Sequence, residues 1–124
     1  FFDEGNYDAV LEQLKDFELF DTRDKLSARA LIAKTYFELN ENELLLSYID
    51  SSRHYLKSKK VSERFRVPFV YFLNSLQKLL NLRENPDDFD INRLFAEMRS
   101  SGGTVERNWL MTKLKMLGAE EKPT

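Results

Sequence analysis

Residues 2–11 read FDEGNYDAVL and residues 37–46 read FELNENELLL, an offset of 35 positions. The two stretches match by residue type: an aromatic, acidic and polar residues, a turn residue (Gly5 or Asn40), then an apolar run. A period in the mid-thirties with a helix–turn–helix grammar marks stacked helical hairpins, each burying its apolar face against the next. The expectation is an all-α chain of antiparallel hairpins.

Outward from that repeat, the 3–4-residue spacing of apolar side chains predicts six helices. The first runs from about Tyr7 to Phe17, with Asn6 as N-cap and Gly5 closing an earlier helix whose end is FFDEG. That opening reads as the continuation of a longer protein, so the chain is expected to be its carboxyl-terminal piece. The second helix covers Arg23 to Leu39, and its Leu26, Ala30, Ala33 and Phe37 share one face. The third covers Glu43 to Lys57, with Leu44, Leu45, Tyr48, Ile49, Ser52 and Leu56 as the buried stripe. Ser62 is placed to cap a fourth, running to about Leu82. Phe65, Phe69, Phe72, Leu73, Leu76, Leu79 and Leu80 crowd one side of it, and Val67, Val70 and Tyr71 line the other. A helix apolar all round is expected to be buried. Pro68 either marks its true start or kinks it. Asp87 or Asp88 caps a fifth helix over Phe89 to Arg99, and Thr104 a sixth that carries Trp109, Leu110 and Leu114 to Gly118. Residues 1–118 thus read as one domain and 119–124 as a flexible tail.

Composition narrows the function. The absence of cysteine removes a disulfide framework, a thiolate metal site and a cysteine nucleophile together, and fits a reducing cytoplasm. No apolar run approaches the roughly 20 residues a membrane span needs. His54 is the single histidine and lies among Arg53, Tyr55 and Lys57 with nothing to activate, so it reads as a surface helical residue. Asp87, Asp88 and Asp90 lack the spacing, glycine and terminal glutamate of a calcium loop and read as helix caps. Gly102-Gly103 follows no strand and reads as a turn. No catalytic residue, metal or cofactor is expected.

Charge is segregated along the chain. Residues 1–50 carry 5 Lys/Arg against 12 Asp/Glu, a charge of −7, whereas residues 51–83 carry 8 against 1, a charge of +7. Arg53, Lys57, Lys59, Lys60, Arg64 and Arg66 cluster about one connector. Two readings stand: a docking patch for an anionic partner, or a solvated loop whose charges complement the third helix's C-terminus and the acidic first hairpin. Nucleic acid is not the expected partner, because the chain is acidic overall, at −2, and has no reader motif. Trp109 is expected to seal the end of the helical stack rather than anchor a partner.

Gly5, Tyr7, Val10, Leu14 and Phe17, followed by Ile32, Ala33, Tyr36, Asn40, Leu45, Ile49 and Ser52, resemble the tetratricopeptide repeat over residues 1–56. The chain departs from that pattern in having Asn40 for the glycine, no proline near Thr22, and a longer, basic linker before the fourth helix. The closing string RNWLMTKLKML resembles the C-terminal end of bacterial helical-repeat proteins from Bacteroidota. The resemblance implies a right-handed superhelix and a protein or peptide partner held on a concave face. Its matching positions are Ser27, Lys34, Phe37 and Glu38, of which Phe37 reads equally as core. The functional expectation is a protein–protein interaction scaffold. The alternatives are an anion-docking module built on Lys57, Lys59, Lys60, Arg64 and Arg66, or a structural end cap of a longer solenoid.

Overall fold

A computed structural model describes residues 22–100 and 105–120. The predicted helix over 7–17, Gly5, Asn6 and Thr104 lie outside the described residues. Within them the chain is all α, with no strand: α1 (Thr22–Glu38), α2 (Asn42–Ser58), α3 (Glu63–Glu84), α4 (Asp88–Ser100) and α5 (Arg107–Met116). It divides into two compact units, Phe1–Arg66 and Val67–Thr124.

In the first unit α1 and α2 pack against each other. α1 has no glycine or proline inside it, and Asp24 in its first turn complements the helix dipole. Its buried row is Leu26, Ala30, Ala33 and Phe37, and the two alanines permit close approach. α2 answers with Leu45, Ile49, Ser52 and Leu56, spaced 4, 3 and 4. Leu44, expected in that stripe, is instead 50% exposed. It stands about 100° of helical rotation from Leu45, so the stripe is narrower than the spacing suggested.

α1 and α2 end in the same way. Asn40 takes a left-handed backbone, φ 58°, its N–H donates to Phe37 O at 3.2 Å, and Glu41 N–H reaches Tyr36 O at 3.0 Å. At the end of α2, Lys60 takes φ 48°, its N–H donates to Lys57 O at 3.2 Å, and Val61 N–H to Leu56 O at 3.2 Å. These are Schellman closures, which satisfy carbonyls that a helix end leaves open. Asn40 thus lies in the turn between α1 and α2, where the sequence predicts one.

In the second unit α3 buries Phe69, Phe72, Leu73, Leu76, Leu79 and Leu80. The rings of Phe69 and Phe72 lie 5.7 Å apart, tilted by 51°. The other side of the helix is not buried as expected: Val67 is 54% exposed and Tyr71 is exposed with it. They sit four apart on one outward row. α3 begins five residues before Pro68, so Pro68 is inside the helix, and the Arg64 carbonyl lacks the N–H that residue 68 would otherwise supply.

α4 and α5 pack together, and their buried side chains are Ile91, Leu94, Phe95 and Met98 on α4 and Leu110 and Leu114 on α5. Asp87 caps α4, its Oδ1 accepting from Asp90 N–H at 3.1 Å. α5 starts at Arg107, two residues later than a cap at Thr104 would place it, because Glu106 is left-handed at φ 57°. The Arg107 guanidinium turns back to the end of α4, Nε donating to Met98 O at 2.6 Å and Nη2 to Arg99 O at 3.0 Å. A cation at a helix N-terminus opposes the dipole, and here the two carbonyl bonds offset it. Arg107→Ala should therefore cost about 1–2 kcal/mol in urea unfolding. Arg107→Lys should recover less than half, because an ammonium cannot supply the fork. Ala119 and Glu120 are also tied down: Ala119 N–H donates to Leu114 O at 2.9 Å and Glu120 N–H to Asn92 Oδ1 at 3.0 Å.

Candidate functional site

The groove positions on α1 fall into two kinds. Ser27 is exposed, and Lys34 and Glu38 are half-buried. Phe37 is 3% exposed and belongs to the buried row of α1, so its ring is not presented on a surface. Positions 27, 34 and 38 project within about 40° of one another around the helix, since seven residues complete about two turns and eleven about three. Buried side chains flank that strip, with Leu26, Ala30, Ala33 and Phe37 on one side and Thr35 on the other. Thr35 Oγ1 donates to Leu31 O at 2.7 Å, which satisfies its hydroxyl without a partner helix.

At the basic connector, Lys57, Lys59, Lys60 and Arg64 are exposed, and no carboxylate among the described residues lies within 4.0 Å of any of them. Arg66 differs. It is half-buried and pairs with Glu63 at 3.4 Å, which spends the one acid of the block. The Arg64 guanidinium stands 5.6 Å from the Phe65 ring centre. His54 is exposed and sits 3.7 Å from Asp50 on the same helix, one turn away. Trp109 is half-buried, with the Lys113 ammonium 5.9 Å from its ring. Among the described residues no three His, Cys, Asp or Glu side chains converge as metal ligands would.

Sequence reasoning missed a cluster between α1 and α2. The Arg29 guanidinium lies 4.3 Å from the Tyr55 ring centre and 5.3 Å from that of Tyr48, and Nη1 donates to Ser52 Oγ at 3.2 Å. Tyr48 in turn meets Tyr36 edge to face, with ring centres 5.8 Å apart. Ser52 is fully buried. Tyr48, Ser52 and Tyr55 sit at spacings of 4 and 3, a helical face that was legible, but nothing marked Arg29 as the cation that crosses to it.

In the second unit an open depression of about 730 Å³ lies along α4, lined among others by Phe89, Arg93, Phe95, Ala96 and Arg99. The Phe89 ring is 72% exposed, with the Arg93 guanidinium 5.9 Å from its centre. No described helix is long and apolar enough to cross a membrane. No family model, curated protein or solved structure matches the chain.

Proposed function

We propose that this chain is a binding scaffold of the helical-repeat type, tetratricopeptide-like in its first unit, which holds a protein or peptide partner along α1 and performs no catalysis. The observation that carries the reading is the strip of Ser27, Lys34 and Glu38, reachable from solvent yet set between the buried row of α1 and the buried Thr35. A surface so fixed is preorganised, and a partner binding it spends little on ordering. The Schellman turn at Asn40, which supplies the hairpin bend of a repeat, supports the same reading. The absence of cysteine favours a reducing, cytoplasmic setting.

The test is partner capture from native lysate at high salt, by wild type and by a Ser27→Arg/Lys34→Glu/Glu38→Lys variant with an unchanged circular dichroism spectrum. A partner held by wild type should be lost at least about tenfold in the variant, as expected when two or three central contacts are reversed. Equal capture by both proteins would rule out α1 as the binding face.

A further inference from the structure

We infer that the turn between α2 and α3 is a docking surface for a short acidic peptide segment, independent of the α1 strip. Lys57, Lys59, Lys60 and Arg64 put four exposed cations within eight residues. One ordinary explanation is that these cations serve the C-terminal carbonyls of α2, and the structure gives that work to the backbone. The Tyr55, Leu56 and Lys57 carbonyls accept from the N–H groups of Lys59, Val61 and Lys60 respectively. The ammonium groups are left over. Glu63, the acid nearest in sequence, pairs with Arg66 instead. α3 starts at Glu63, so the positive end of a 22-residue helix dipole adjoins the same turn.

Lys60 adds a second observation. It stands in the left-handed position of a Schellman closure, where the two other such closures among the described residues carry Asn40 and Gly118. A side chain with a Cβ is disfavoured there, and lysine has none of the local hydrogen bonding that eases asparagine into it. The position is not optimised for the backbone, and what lysine brings to it is a charge.

Size and composition select the occupant. The surface is one helix end, about 10–12 Å across, which an extended run of three or four residues spans. That suits three or four carboxylates. A nucleic-acid tract engages about 6–10 phosphates in a typical complex and stacks its single-stranded bases on aromatic rings. Residues 57–64 read KSKKVSER and contain no aromatic. Their one apolar side chain, Val61, is buried, so nothing in the turn inserts into a bilayer. Lysine ammoniums are point charges without a fixed fork, which fits sequence-tolerant attraction to glutamate and aspartate.

The probe is a fluorescein-labelled peptide of four glutamates flanked by glycine and serine, read by anisotropy against the 124-residue chain. A glutamine version, a single-stranded oligonucleotide and anionic vesicles serve as the comparisons. The glutamate peptide should bind, weaken steeply between low and physiological salt, and exceed all three comparisons. Lys60→Gly should lower its affinity about two- to fivefold, the share of one surface charge. The same change should raise the melting temperature by roughly 3–6 °C through relief of the left-handed strain. Opposite signs in the two readouts separate docking from folding. Lys59→Gln, outside the strained position, should lower affinity similarly with no change in melting. Glutamine peptide binding as well as glutamate, or affinity unmoved by both variants, overturns the proposal. Tighter binding of the oligonucleotide or the vesicles overturns it in favour of a polyphosphate or lipid partner.

Discussion

Phe72→Ala is expected to destabilise the second unit by about 3–5 kcal/mol. Phe72 is 0% exposed on α3, and its ring packs on Phe69. Truncation removes the transfer free energy of a ring and leaves a cavity that the rigid helix cannot close. It also removes the ring pair, worth about 0.5–1.5 kcal/mol of that total. Natural domains have only about 5–15 kcal/mol to lose, so the variant should unfold at much lower denaturant or fail to fold. Urea unfolding followed by circular dichroism measures it. Phe72→Leu, which keeps much of the volume, should lose about 1–2 kcal/mol and serves if the alanine variant is not recovered. Loss of less than about 1 kcal/mol in Phe72→Ala would contradict the packing described for α3.

Arg29→Ala should destabilise the first unit by about 2–3 kcal/mol, far more than an ordinary surface arginine. The side chain is half-buried and serves three partners on α2 at once: the Tyr55 ring, the Tyr48 ring and the buried Ser52 hydroxyl. Removing it costs the cation–π attraction, the hydrogen bond and the packing of its aliphatic stem. Arg29→Lys keeps the charge and loses the flat face, so it should recover less than half. A double-mutant cycle of Arg29→Ala with Tyr55→Leu should show coupling near 1 kcal/mol. Additive losses would mean that the stacking contributes nothing of its own.

Helix positions were largely legible. The sequence placed α1 over 23–39, α2 over 43–57 and α4 over 89–99, and each lies within a residue of the helix observed. Polar breaks of definite chemistry, Asn40 and Asn85-Pro86-Asp87, mark those ends. The start of α5 was misjudged because Thr104 looked like a cap, whereas the break is set by the left-handed Glu106 and by Arg107 reaching carbonyls eight and nine residues back. No local pattern encodes a partner that distant. The same limit applies to face width. Periodicity put Leu44, Val67 and Tyr71 in the interior, but one residue step turns a helical side chain through about 100°, and packing decides which border residues are covered.

For the candidate site, the sequence alone determined the charge segregation and hence the basic connector. It could not tell Arg66, quenched by Glu63, from Lys57, Lys59, Lys60 and Arg64, because pairing depends on side-chain geometry. It determined that the chain is helical and where most helices begin and end, since propensity, capping and turn chemistry act over a few residues. Tertiary structure alone decided between the two readings of Phe37, core face and groove, and showed that Arg29 bridges two helices and that a lysine occupies a left-handed helix end. Each of these depends on groups brought together by the packing of whole helices, which no local spacing specifies.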